Sequence, residues 1–227
     1  STETGGQNNV AIGVNALLSQ VSSSGNIYNT AVGSQAGKEI TTGTFNTFIG
    51  GLAGDALTDA DFNVAVGTTA LTLDELGNKT TALGHAALTS QNFETATDTF
   101  NTAVGFGAGS ANVTGKNNTY IGALVGDINT DGVDNVAVGG HGTYAALGAD
   151  TRGKFSTAIG VGALTAQNFT SVTASNNVAV GYFAGGVNAT GTGNTYLGTL
   201  AGDDSDDGVN NVAVGFHAGG GNHGNNN

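Results

Sequence analysis

Residues 28–67 read YNTAVGSQAGKEITTGTFNTFIGGLAGDALTDADFNVAVG, and the pentads at 29–33, 46–50 and 63–67 are one unit returning every 17 residues. Followed outward in both directions, the pentad Asn-Val/Thr-x-aliphatic-Gly closes on glycines 13, 33, 50, 67, 84, 105, 122, 139, 160, 181, 198 and 215. The spacings are 17 residues or 20–21, and a fixed period of that size marks a single structural unit copied in a row. Seventeen residues are too few for two helices and a turn, and glycine at this density costs about 1 kcal/mol per helical site. The period therefore predicts an all-β fold, a parallel β-solenoid (β-roll) of about twelve coils of 17–21 residues stacked at about 4.8 Å. The repeat domain spans 9–219, between an N-terminal tail over 1–8 and a Gly/Asn-rich C-terminal tail over 220–227.

Composition narrows the function. Forty glycines without proline, and not at every third place, exclude collagen. Seventeen acidic against five basic residues give a net charge of −12, which repels a phosphate backbone and an anionic lipid surface. Nucleic acid and membrane insertion are therefore not expected. The chain has no cysteine, hence no disulfides and no thiolate metal sites.

Within a coil numbered from its asparagine, the second residue is Val or Thr, the fourth is Ile, Val or Leu, and the fifth is Gly. This alternation reads as a short strand with one buried face. The fourth position never takes a polar residue, so positions 2 and 4, with the residue just before the asparagine, are expected inside. Tyr28, Phe45 and Phe62 should then stack as an aromatic ladder. The opposite Asn-Ala-Gly side is small and flat, and is expected to seat another copy, with Ala65 and Ala103 in it and Phe48, Tyr120 and Tyr196 projecting from it. On this reading the chain is a homotrimer. Alanine at the eighth position suits a thin interior.

A second periodicity overlies the first: residues 84–142 realign on 160–218 at an offset of 76. The additional residues of the long coils all follow the eighth position, so they should leave the solenoid along one edge. Insertions gathered on one face often form a contact surface. Phe93 and Phe169, both in Gln-Asn-Phe, and Tyr144 are the candidate receptor contacts.

Two loops carry the first half of an EF-hand pattern: Asp127, Asn129 and Asp131 before Gly132, and Asp203, Ser205 and Asp207 before Gly208. They are candidate Ca2+ ligands, although the closing glutamate is missing, and no other cofactor is expected. His141 and His217 are four coils apart and do not share an ion within one chain. No nucleophile–base arrangement, phosphate loop or paired-carboxylate cleft follows from the spacing, so no enzymatic activity is expected. Ice binding through a threonine ladder is disfavoured because Thr at position 2 alternates irregularly with Val and is expected to face inward.

The strings NNVAIG, NTAVGSQAG, NNVAVGYFAG and NTYLGTLAG resemble the repeats of trimeric adhesin heads and, more closely, the Asn-Thr-Ala-Ile-Gly-x-x-Ala-Gly repeats of bacteriophage tail-fibre proteins. The resemblance covers residues 9–219 and implies trimeric parallel β-rolls that bind host surfaces. The 17-residue coil is longer than the adhesin-head repeat, and neither a heptad stalk nor a virion-docking domain is recognisable. The expected role is a structural and adhesive fibre subunit on a virion or extracellular surface, presenting loops to a host receptor or glycan. The alternative is a filament subunit that associates end to end and serves mechanically.

Overall fold

The computed structural model describes residues 8–21, 25–204 and 206–220. Apart from Asn8 and Gly220, the expected tails over 1–8 and 220–227 lie outside the described residues. The chain is an all-β parallel solenoid of twelve coils that divides into two compact units, Ser1–Thr114 and Gly115–Asn227.

The first unit carries β1 (Val10–Ile12), β2 (Thr30–Val32), β3 (Thr47–Ile49), β4 (Val64–Val66), β5 (Gly77–Asn78), β6 (Thr81–Leu83), β7 (Thr97–Asp98) and β8 (Thr102–Val104). Strands β1, β2, β3, β4, β6 and β8 stack in that order, each parallel to the next, while β5 pairs with β7 beside the long coil. The second unit carries β9 (Thr119–Ile121), β10 (Val136–Val138), β11 (Gly153–Lys154), β12 (Thr157–Ile159), β13 (Thr173–Ala174), β14 (Val178–Val180), β15 (Thr195–Leu197) and β16 (Val212–Val214). Here β9, β10, β12, β14, β15 and β16 stack likewise and β11 pairs with β13. Equivalent residues sit over one another: Ile49 pairs with Val66, and Val66 with Leu83.

The two sides of the strand are the reverse of those expected. Ala31, Phe48, Ala65, Ala82, Ala103, Tyr120, Ala137, Ala158, Ala179 and Tyr196, at position 3, are buried, as are the asparagines at position 1 from Asn29 onward. Positions 2 and 4 face out, and Ile49, Leu83, Ile121 and Leu197 are each 40–46% exposed. The cause is the polar backbone of the coil. A tight coil turns its own backbone carbonyls and amides inward, and these need partners more than they need apolar cover.

Asparagine meets that need because its amide both donates and accepts. Asn29 Oδ1 accepts from the amide of Asn46 at 2.8 Å, and Asn29 Nδ2 donates to the carbonyl of Gly43 at 2.7 Å. The same two bonds recur for Asn46, Asn63, Asn135 and Asn194.

The remaining interior is filled by compensation between two positions. Alanine at position 8 is buried as expected, for example Ala36, Ala53, Ala70, Ala87 and Ala108. Position 9 takes the left-handed conformation, with φ of +57° at Gly54 and +55° at Leu71. It is glycine where a neighbouring position 3 is aromatic: a Cβ on Gly54 would lie 2.5 Å from the Phe48 ring, and one on Gly202 would lie 2.2 Å from Tyr196. Where the neighbours are alanines, Leu71, Leu88 and Leu164 fill the space despite a backbone that side chains disfavour by about 1–2 kcal/mol.

Candidate functional site

Since positions 2 and 4 face out, each unit presents two parallel rows of six residues, 24 positions in the chain, all Thr, Val, Ile or Leu. None is charged, in a chain whose net charge is −12. Thr30, Thr47, Thr81, Thr102, Thr119, Thr157 and Thr195 lie in this face, partly exposed, and their hydroxyls make no hydrogen bond among the described residues. An unpaired hydroxyl covered by an apolar surface costs about 1–3 kcal/mol. A gap the size of one methyl costs about 1 kcal/mol. Where the hydroxyls go is therefore the stronger constraint on anything that covers this face.

The interface residues expected from sequence are not on it. Phe48, Tyr120, Tyr196, Ala65 and Ala103 are buried within the chain's own interior, with Tyr196 no more than 1% exposed. Burial also pushes the Tyr120 hydroxyl well above the usual tyrosine range.

The residue before each asparagine forms a third outward row, a correction to the interior placement expected. Tyr28, Phe45 and Phe62 do stack, with ring centroids 5.5 and 5.1 Å apart, but each is about half exposed. In the same unit Lys79 follows, its Nζ bonded to Asp98 and 5.2 Å from the Phe100 ring. In the second unit this row is mostly polar: Asn117 donates to Asp134 at 2.9 Å, and Phe155, Asn176, Gly193 and Asn210 follow.

The long-coil loops are anchored. Phe93 and Phe169 are 8% and 7% exposed and tuck beneath their own loops, so neither offers the contact surface expected of it. Asp74 holds the first loop: its carboxylate accepts from the Phe93 and Gly77 amides at 3.0 and 3.1 Å and from Gln91 Nε2 at 2.6 Å. Gln91 also donates to Thr80 and accepts from Asn101. The copy 76 residues on is built alike, with Gln167 bridging Asp150, Ser156 and Asn177. These clusters lie where Thr80 and Ser156 replace the asparagine of the ladder. Burial pushes the Asp74 and Asp150 carboxyls above their ordinary value, against the pull of the hydrogen bonds. Asn92, Phe93, Glu94, Thr95, Val113 and Thr114 line an open depression of about 410 Å3 beside the first loop. Tyr144 is exposed at the end of the short 3-10 turn Gly142–Tyr144, its ring edge-on to Phe183 at 5.5 Å.

The expected calcium ligands do not converge. Asn129 points inward, accepting from the Gly132 amide and the Tyr120 hydroxyl at 3.0 and 3.2 Å. The middle residue of the motif is thus turned into the interior, where it closes its own turn, and burial pushes the neighbouring Asp127 carboxyl up, toward the neutral form. Asp131 pairs with Arg152 and Asp203 with His217, each at 3.2 Å, while Asp207 is exposed. Ser205 lies outside the described residues. Among the described residues no group of three His, Cys, Asp or Glu side chains comes together to hold a metal ion.

The threonine row does face outward, against expectation. It is interrupted by Val10, Val64, Val136, Val178 and Val212, and position 4 carries no threonine, so a continuous Thr-x-Thr lattice is absent. No helix among the described residues is long and apolar enough to cross a membrane. Comparison with protein-family models, with curated proteins and with solved structures finds no match.

Proposed function

We propose that this chain is a structural and adhesive fibre subunit of tail-fibre or adhesin-like type. It works as a homo-oligomer, a trimer by resemblance, at a virion or extracellular surface, and its long-coil edge meets a host-surface receptor or glycan. The role is binding and mechanical, not catalytic. The observation that carries the reading is the fixed loop edge: the inserted residues are pinned to the solenoid by Phe93 and Phe169 and by paired Asp–Gln clusters. A surface held this firmly loses little conformational entropy on binding. The depression beside Phe93 and the exposed Tyr144 supply polar and aromatic groups of the kind that receive sugars.

The purified protein applied to host-cell surfaces and to a broad glycan panel tests this. Saturable binding that weakens at least tenfold in Tyr144→Ala or Glu94→Ala, with folding unchanged, supports it. Absence of binding to any surface, together with indefinite fibres in electron microscopy, would replace it with the mechanical filament.

A further inference from the structure

We propose that the second unit binds an extended, uncharged β-1,4-linked polysaccharide along a single row of side chains that begins at Tyr144. The inference rests on the attachment reading and names the class of glycan and the track that receives it.

Backbone register defines the row. The carbonyls of Tyr144, Val161, Tyr182 and Thr199 accept from the amides of Gly162, Phe183, Leu200 and His217 at 2.8–3.0 Å. These four residues and Phe216 therefore hold one place in successive coils. Each from Val161 onward directly follows the glycine that closes a pentad, and that glycine adds no side chain beside it. Tyr144, Tyr182 and Phe216 are 52%, 53% and 77% exposed. Aromatic rings thus recur at every second coil, about 9.6 Å apart and over about 19 Å in all at the strand spacing. The same row of the first unit has no such interval: its only rings, His85 and Phe106, lie in adjacent coils and stack on each other at 5.2 Å.

Phe183 braces two of the rings. Its centroid is 5.5 Å from that of Tyr144 and 4.7 Å from that of Tyr182, at 60° and 61° to their planes. It lies across Gly162, where an added Cβ would come within 2.8 Å of the ring. Its own backbone takes a left-handed φ of 51°, which side chains disfavour. A glycine and a strained residue together hold the tyrosines in place while leaving them open to solvent. The hydroxyls of Tyr144 and Tyr182 make no hydrogen bond among the described residues, so each offers a ring and a polar tip.

Spacing and charge choose the ligand. A pyranose lays its C–H face on an aromatic ring and turns its hydroxyls toward polar groups at the rim. In a β-1,4-linked chain successive sugars turn over, so like faces recur at every second ring, close to the two-coil interval. Single-stranded nucleic acid also stacks on aromatic rows, but it needs a positively charged groove along its backbone. None of the five row residues is basic, and the chain carries a net charge of −12. That balance repels phosphate- and carboxylate-bearing chains and leaves an uncharged glycan.

Calorimetry with cello- and manno-oligosaccharides of two, four and six rings tests the track. Affinity should rise by about tenfold or more from the disaccharide to the hexasaccharide of at least one series. Tyr182→Ala should weaken hexasaccharide binding by about tenfold with an unchanged circular dichroism spectrum. The exchange Tyr182→Thr/Thr199→Tyr keeps the number of rings and breaks their interval, so it should weaken binding as much as Tyr182→Ala. A cellohexaose oxidised to carboxylates at C6 should bind more weakly than cellohexaose itself. Failure of both hexasaccharides to bind, affinity independent of length, native affinity in the exchanged variant, or tighter binding of the oxidised hexasaccharide or of an oligothymidylate would each overturn the inference. Host-surface binding that persists while both hexasaccharides fail would leave the attachment reading standing. Hexasaccharide binding by a protein that attaches to no host surface would do the reverse.

Discussion

Asn46 and Asn63 are joined across adjacent coils: the Asn63 amide donates to Asn46 Oδ1 at 2.8 Å, while Asn46 Nδ2 donates to the Ala60 carbonyl at 2.7 Å. Asn46→Ala would leave both backbone groups buried without partners, at about 1–3 kcal/mol each. Asn46→Asp keeps the acceptor and loses the donor, so it should cost less than alanine but remain destabilising. Urea denaturation midpoints give the order. A midpoint for Asn46→Ala within error of the native chain would show that the ladder contributes nothing to stability.

Phe48 and Gly54 make the second coupled pair. Phe48→Ala should cost about 3–5 kcal/mol as a cavity, and Gly54→Leu should destabilise by collision with the ring, which lies 2.5 Å from any added Cβ. Combined, the two substitutions recreate the Ala65/Leu71 arrangement found one coil on, where Leu71 is fully buried. The double variant should therefore be more stable than the sum of its parts by at least about 1 kcal/mol, a coupling within the range of contacting residues. Additive losses would show that positions 3 and 9 do not share a cavity.

The coil count, parallel register and buried alanine row were legible because they follow from periodicity alone. The side assignment was not, because aliphatic character at Ile49 and Leu83 resembles core character when one coil is read by itself. What decides the matter is that the position-1 asparagines must reach the inward backbone groups, which turns positions 2 and 4 outward, and no single pentad records that need. The signal that was available lay in position 9: glycine accompanies Phe48, Tyr120 and Tyr196, and leucine accompanies alanine, as only residues sharing an interior would do. The calcium ligands do not converge for a related reason: Asn129 turns into the interior, where it closes its own turn at Gly132 and accepts from the Tyr120 hydroxyl, an orientation that the motif's spacing does not reveal. The left-handed φ of Phe45, Lys79 and Leu52, at 58° each, also left no trace in residue type.

Asp74 and Asp150 give the fold a pH dependence whose sign is fixed. Burial raises both carboxyls in the folded chain, so the native state holds these protons more tightly than the unfolded chain. Their contribution is full below the ordinary carboxylate value near 4. It is lost as pH rises through their elevated folded values. Asp74→Asn/Asp150→Asn should flatten this part of the profile when thermal midpoints are compared between about pH 4 and 7. A slope equal to that of the native chain would show that other groups carry it.

Phe93 and Tyr144 separate support of the loop edge from contact by it. Phe93 is 8% exposed and sits over the Asp74 cluster, so Phe93→Ala should cost about 3 kcal/mol and loosen residues 92–98 toward faster amide exchange. Tyr144 is 52% exposed, so Tyr144→Ala should change stability by less than about 0.5 kcal/mol. If the loop edge binds through exposed aromatics, Tyr144→Ala weakens attachment with the melting curve unmoved. Phe93→Ala then lowers attachment only in step with loop opening, and Phe93→Leu, which refills most of the space, restores it. Attachment lost in Phe93→Leu with exchange rates at native values would return Phe93 to the contact surface and show that its burial is relieved on binding.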